Sequence, residues 1–178
     1  LDPNKNTLFV FGGSQGSYFL NHLMEDSIEK LKKNKIQVLW QTGDNHYSQY
    51  KHFDSKTIRI TPFIDGMADA YALCDLIISR SGALAVSEIM AVGKASILIP
   101  FSNAAENHQY KNAKVLTDQQ AAVLLSEKKI DLITCMKTII KLINDKTTLK
   151  EMGSKAKSMS KSNAKELISN KIIELATA

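Results

Sequence analysis

The stretch "DLIISRSGALAVSEIMAVGKASILIPF", residues 75–101, decides how this chain folds. Its two ends, "DLIIS" (75–79) and "ASILIPF" (95–101), are short apolar runs rich in isoleucine, which predicts strands covered on both faces. Between them "GALAVSEIMAVG" (82–93) predicts a buried helix closed by glycine. Strands apolar on both faces and separated by a helix predict a parallel sheet covered on both sides. Two features break the pattern. Ser-Arg-Ser-Gly interrupts the apolar text between the first strand and the helix, and Glu88 stands in a segment of Ala, Leu, Val, Ile and Met.

Outward from this unit the same alternation continues. "TLFVF" (7–11) predicts a first strand, stopped by "GGSQG", and Phe19, Leu20, Leu23, Ile28 and Leu31 then form a helical stripe. "IQVLW" (36–40) predicts a second strand, followed by a short polar helix or loop through His52. "TIRIT" (57–61) predicts a third strand closed by Pro62, and "DGMADAYALC" (65–74) a small-residue helix. After residue 101, "ENHQYKNAKVLTDQQ" (106–120) predicts a helix and "AAVLL" (121–125) a short sixth strand. From Asp131 the text is helical in three segments to the end. The expected class is α/β, a doubly wound parallel sheet of about six strands, with ligands bound outside the carboxyl ends of the strands.

Composition narrows the function classes. The chain has 178 residues, of which 44% are hydrophobic and 23% charged, enough for the core of one domain. No apolar run approaches a membrane span and no basic-then-apolar leader is present. Cys74 and Cys135 lie far apart in apolar segments, which predicts buried free thiols in a reducing compartment, with neither a disulfide nor a metal site. The net charge of +5 comes largely from lysines in helical segments without interleaved aromatics. That pattern reads as a solvated lysine face, and no nucleic-acid partner is expected. The opening "LDPNKN" enters a strand within a few residues and reads as a cut through an interdomain linker, so the expectation is a single domain over 1–178, half of a larger protein.

Candidate ligand residues collect at the predicted carboxyl edge. Gly12, Gly13 and Gly16 in "FGGSQGS" allow a tight turn and close approach of a ligand, although a purely structural turn has the same composition. The spacing excludes G-x-G-x-x-G, which would need glycine at Phe11, and a P-loop, which would need lysine at Ser17. Arg80, Ser81 and Gly82 form a turn whose following helix start suits a phosphate. Glu88 needs a partner, either a pair of ligand hydroxyls such as those of a ribose or a nearby Lys or Arg. His108 and Gln109 near a helix start suit sugar hydroxyls, or form an ordinary surface pair. The histidines show no metal-ligand spacing.

The ordered set "FVFGGSQGS", "ITPFIDGMADAYALCDLIISRSGALAVSEIMAVGKASILIPF" and "ENHQYKNA" resembles the C-terminal half of the MurG family, with the match running from about Leu8 to Val123. These are peptidoglycan glycosyltransferases that transfer N-acetylglucosamine from UDP-N-acetylglucosamine to the undecaprenyl-linked lipid I, giving lipid II. The resemblance implies one Rossmann-like half of a two-domain GT-B enzyme, here the donor-binding half, with a helical tail from about residue 131. It implies an inverting reaction without cofactor or metal. The acceptor site and general base would lie in an N-terminal domain outside this chain, and the full-length protein would be cytoplasmic and peripheral on the inner face of the membrane.

Residue by residue, the resemblance implies that the Gly12 to Gly16 loop, with Gly13, Gln15, Gly16 and especially Ser14, lies near the diphosphate. Ile64 would read the uracil edge through its backbone. Ala83, Leu84 and Ala85 would offer N–H groups to the phosphates beside Arg80, Ser81 and Gly82. Glu88 would hold the ribose hydroxyls, and His108 and Gln109 would contact the sugar. Two positions depart from the family pattern: Ala85, where many members carry threonine, and His108, where some carry glutamine. The other readings of the same residues are half of a UDP-N-acetylglucosamine 2-epimerase, a separate donor subunit of a two-chain lipid-linked glycosyltransferase, and a non-enzymatic nucleotide-binding module.

Overall fold

The structure is a computed structural model that describes residues 1–161 and 164–177. Six strands, β1 (Thr7–Phe11), β2 (Gln37–Gln41), β3 (Ile58–Thr61), β4 (Leu76–Ser79), β5 (Ala95–Leu98) and β6 (Ala122–Leu124), pair in parallel in the order β3-β2-β1-β4-β5-β6. Helices α1 (Tyr18–Lys33), α2 (Asp44–Tyr50), α3 (Met67–Leu73), α4 (Ala83–Val92) and α5 (His108–Asp118) connect them, and α6 (Leu132–Ile143), α7 (Lys146–Ser158) and α8 (Ala164–Thr177) follow. This is the doubly wound parallel class expected from the sequence, and the order found places its switch point between β1 and β4.

Side-chain alternation along the strands builds two cores. Leu8 and Val10 of β1, with Leu76 and Ile78 of β4, pack toward α1 and α6, where Met24, Ile28, Cys135 and Ile139 meet them. Phe9 and Phe11 face the other way, toward Tyr71 of α3, Val86 and Ile89 of α4 and Leu116 of α5. Each such side chain contributes roughly 1.5–3 kcal/mol of burial, so the sheet is held from both sides. Helix α6 is thus part of the core. The two cysteines are buried and free, and burial pushes the Cys74 thiol up to about 12 and the Cys135 thiol up to about 11.

Local signals set the helix ends. Ser17 caps α1, its Oγ accepting from the Leu20 N–H, while Lys30, Lys32 and Lys33 complement the dipole in the last turn. Asp131 and Asp145 cap α6 and α7 by accepting from the Thr134 and Thr148 N–H groups. Gly93 ends α4 with a left-handed φ of 70°. Most boundaries shift by one or two residues from the sequence reading, and two of the shifts lie beside the ligand edge. β5 stops at Leu98, with Pro100 shortly after, and the helix expected from residue 106 begins at His108, because Glu106 and Asn107 take φ of 50° and 54° in a 3-10 turn. Helix α8 leaves Leu167, Ile168, Ile172, Ile173 and Leu175 exposed.

The turn after β1 is anchored by close backbone approach. Gly16 has a φ of 76°, and a Cβ there would strike the Thr42 carbonyl. Asn21 secures the same carbonyl from α1: its Nδ2 donates to Thr42 O at 2.9 Å while its Oδ1 accepts from Trp40 Nε1 at 2.9 Å. Gly16→Ala is therefore expected to destabilise the fold by about 2 kcal/mol or more, read as a lower urea midpoint. A variant as stable as the parent would show that this turn relaxes freely.

Candidate functional site

A cavity of about 500 Å³ opens at the carboxyl edge of the sheet, over the switch point between β1 and β4. Its floor begins at Phe11, the last residue of β1, and passes into Gly12, Gly13 and Ser14. A second wall is the segment between β3 and α3, carrying Phe63, Ile64, Asp65 and Met67. The third is the start of α4, with Gly82, Ala83, Leu84, Ala85 and Glu88, and Gln109 of α5 closes the end. Parallel winding brings these four segments together, because every strand exits on the same side.

The start of α4 is open. Gly82 has extended backbone, no side chain caps the helix, and the first intrahelical bond runs from the Val86 N–H to the Gly82 carbonyl. The N–H groups ahead of Val86 lie at the cavity wall with the positive end of the helix dipole. A Cβ on Gly82 would meet nothing, so this glycine leaves room in front of the helix. Gly13, with a φ of 87°, turns the opposing loop.

Glu88 is half-buried and forms no ion pair among the described residues. Instead its Oε2 accepts from the Tyr71 hydroxyl at 2.8 Å. The Lys or Arg partner considered from the sequence is replaced by a phenol, which the spacing of α3 and α4 could not reveal. Gln41 was also unforeseen. Buried at the end of β2, it donates from Nε2 to the Gly13 carbonyl and accepts at Oε1 from the Ile64 N–H, both at 3.0 Å. Its amide ties the glycine-rich turn to the β3–α3 wall and takes the Ile64 N–H, whereas the Ile64 carbonyl has no hydrogen-bond partner among the described residues.

The other residues singled out in the sequence are placed unequally with respect to this cavity. Arg80 lines the cavity but its guanidinium is committed to the protein: Nε donates to Ser17 Oγ at 3.0 Å, Nη1 to the Ile99 carbonyl at 3.0 Å, and Nη1 and Nη2 to both oxygens of Glu127. The Phe19 and Phe101 rings flank it at 5.5 and 5.4 Å. Ser81 is fully buried away from the cavity, its hydroxyl donating to the Gln109 carbonyl and its own carbonyl accepting from Asn112. Gln15 is exposed outside the lining, and Gly16 borders an adjoining cavity of about 490 Å³. His108 is exposed and also outside the lining, its Nδ1 held by the Ala105 carbonyl at 2.8 Å. Gln109 does reach the cavity, and its Oε1 accepts from the Phe101 N–H, which leaves Nε2 as the donor of its amide. Among the described residues no three His, Cys, Asp or Glu side chains converge as a metal set.

A sheet wound in this order, with a cleft between a glycine-rich turn and an uncapped helix start, defines a Rossmann-type α/β domain. The sequence model of the glycosyltransferase family 28 C-terminal domain matches residues 7–168, and the chain belongs to that family. It is 40% identical over 175 residues to the UDP-N-acetylglucosamine–N-acetylmuramyl-(pentapeptide) pyrophosphoryl-undecaprenol N-acetylglucosamine transferase of Cytophaga hutchinsonii, covering 98% of this chain and 47% of that protein. The protein of the same name from Bacteroides thetaiotaomicron is 34% identical over 184 residues, covering 100% and 49%. The chain thus spans about half the length of the curated relatives it matches. Crystalline MurG of Acinetobacter baumannii superposes with a TM-score of 0.87 at 28% identity, over 98% of this chain and 51% of that one. The spinosyn forosaminyltransferase shares the fold alone, with a TM-score of 0.71 at 13% identity over 100% of this chain and 45% of that one.

The Arg80–Glu127 pair generates a test of how the site is held. Burial works against the Glu127 carboxylate, but hydrogen bonds from Arg80 and from the Ser102 N–H outweigh it and hold its pKa below the ordinary glutamate range. Its stabilisation is therefore present above that range and lost as pH falls through the depressed value. Arg80→Met is expected to cost about 3 kcal/mol at pH 7, by leaving Glu127 unpaired. Glu127→Gln should make urea stability fall less steeply than the parent's on acidification, and an unchanged acid slope would place that sensitivity elsewhere.

Proposed function

We propose that this chain is the donor-binding half of an inverting glycosyltransferase. The whole enzyme would move N-acetylglucosamine from UDP-N-acetylglucosamine to an undecaprenyl-pyrophosphoryl-linked N-acetylmuramoyl-pentapeptide. The observation that carries the reading is the cavity in which the open start of α4 and the Glu88 carboxylate lie side by side, opposite Gly13 and Ser14. The names borne by the relatives over this half of their length support the same reaction.

In this reading the diphosphate sits between the Gly13–Ser14 turn and the N–H groups of Ala83, Leu84 and Ala85. The ribose hydroxyls meet Glu88, and the uracil lies against the Phe63–Ile64 wall, where the Ile64 carbonyl accepts from the base. Gln109 donates from Nε2 to a sugar hydroxyl, and His108, outside the lining, has no contact with the sugar unless its side chain turns away from Ala105. An acceptor hydroxyl, deprotonated by a base from the other half, attacks the anomeric carbon. The new glycosidic bond forms as the bond to the diphosphate oxygen breaks, and UDP leaves. The helix start and the turn stabilise the charge that develops on that oxygen. This half supplies donor and leaving-group binding, so transfer needs the acceptor half as well. Among the described residues no helix is long and apolar enough to cross a membrane, and the proposed enzyme works peripherally at the inner membrane face, where its lipid-linked acceptor resides.

Calorimetry with UDP and 2′,3′-dideoxy-UDP tests the nucleotide site. Glu88→Ala is expected to cost about 1.5–3 kcal/mol of UDP binding and to leave the dideoxy analogue nearly unaffected. Equal losses would make Glu88 a structural residue, and no UDP binding by the parent chain would overturn the reading. For the sugar, Gln109→Ala should weaken UDP-N-acetylglucosamine about tenfold while UDP alone binds as before. Parallel losses for both ligands would move Gln109 out of the sugar site.

A further inference from the structure

Tyr71 does not line the cavity, yet it is joined to it by one hydrogen bond. It lies on α3, only 3% exposed, with its ring edge-on to Phe9 at 5.8 Å and to Phe11 at 6.2 Å between centroids. Those two rings are themselves stacked at 4.8 Å on β1, so the tyrosine is wedged against the aromatic floor of the cleft. A ring held this way has few alternative rotamers. Its hydroxyl is consequently delivered to one place, and Glu88 Oε2 is there at 2.8 Å.

The bond solves two problems at once. Glu88 projects from an apolar helix, and among the described residues Tyr71 is its one recorded hydrogen-bond donor. A carboxylate in that setting needs a hydrogen-bond donor to offset its desolvation. Tyr71 serves as donor throughout the working range, since burial and the bond to Glu88 push the phenol far above its usual pKa. The second problem is orientation. With Oε2 engaged on the α3 side, Oε1 has no recorded partner among the described residues, and Oε2 keeps a second lone pair. Both oxygens can then accept from hydroxyls on adjacent carbons without the side chain having to be ordered on binding.

We infer that Tyr71 is a positioning residue that orients Glu88 for a vicinal diol, so that the cavity selects ribonucleotide over deoxyribonucleotide ligands. The inference rests on the proposed nucleotide-sugar function and deepens it. It also links two walls of the cavity, because α3 continues from the Phe63–Met67 segment and α4 carries Leu84 and Glu88. Tyr71 touches no ligand and acts only through the carboxylate.

Tyr71→Phe removes one oxygen and keeps the ring packing, and a thermal melt of the variant monitors the fold. Calorimetry on the chain with UDP and with 2′,3′-dideoxy-UDP should show UDP weakened about fivefold to tenfold, with the dideoxy analogue within about twofold of the parent. Adding Tyr71→Phe to Glu88→Ala should change UDP affinity no further, since the hydroxyl acts through the group already removed. A merely structural tyrosine would weaken both nucleotides alike and would add its effect to that of Glu88→Ala. Either of those results overturns the inference, as does unchanged UDP affinity in Tyr71→Phe. A parent chain in which Glu88→Ala discriminates the two nucleotides but Tyr71→Phe does not would sink the positioning role alone and leave the proposed function standing. Absence of UDP binding by the parent would sink both.

Discussion

The carboxyl edge of this domain depends on one buried cation. Arg80 reaches Ser17 at the start of α1, the Ile99 carbonyl at the end of β5 and Glu127 beyond β6, and it is enclosed by Phe19 and Phe101. A guanidinium taken out of water must be surrounded by acceptors, and its fixed planar fork dictates where they stand. Four separate chain segments are thereby held around one point. The open start of α4, two residues further on, inherits that position.

The remaining contacts of the cleft follow the same logic of polar groups that cross between loops. Gln41 joins the glycine-rich turn to the β3–α3 wall, and the Ser81 hydroxyl joins the β4–α4 turn to α5. Gln109 returns a bond to the Phe101 N–H. None of these side chains is at a strand interior, where the sheet itself would hold it. Loops at the carboxyl edge lack ladder bonds, and their geometry has to come from side-chain amides and hydroxyls whose donors and acceptors are used on both sides.

In the proposed reading, the cleft combines features suited to different parts of a nucleotide sugar. Backbone N–H groups at a helix start suit delocalised negative charge, whereas the carboxylate of Glu88 suits neutral hydroxyl donors. Their adjacency matters because a carboxylate beside phosphate groups would repel them unless turned toward hydroxyls. On the proposed reading, the bond from Tyr71 and the setting of Glu88 about one and a half turns along α4 would address that conflict through orientation and distance. Leu84, largely exposed at the mouth, and Phe63 add apolar surface for a base or sugar face.

Much of the architecture was legible in the residues alone. Short β-rich runs separated by helical stripes specify a parallel α/β sheet, because strands buried on both faces cannot alternate polar and apolar. The Gly12–Gly16 turn, the Ser-Gly break before α4 and the acid at Glu88 stand out in the sequence because each interrupts the local apolar pattern, although close packing against Thr42 also requires the glycine at position 16. What the linear order could not decide is which polar groups meet. Arg80 reads as a ligand residue because it sits in the turn, but its partner Glu127 is 47 positions away and only the β5–β6 neighbourhood brings it in. Tyr71 reads as one more apolar helix residue, and Gln41 as the last residue of a strand, until the packing of α3 on β1 and the parallel register of β2 aim them at Glu88 and Ile64. Hydrogen bonds are short-ranged and directional, so their pairing is a property of the assembled sheet. Periodicity is local, and for that reason the fold was in the sequence while the wiring of its cleft was in the tertiary structure.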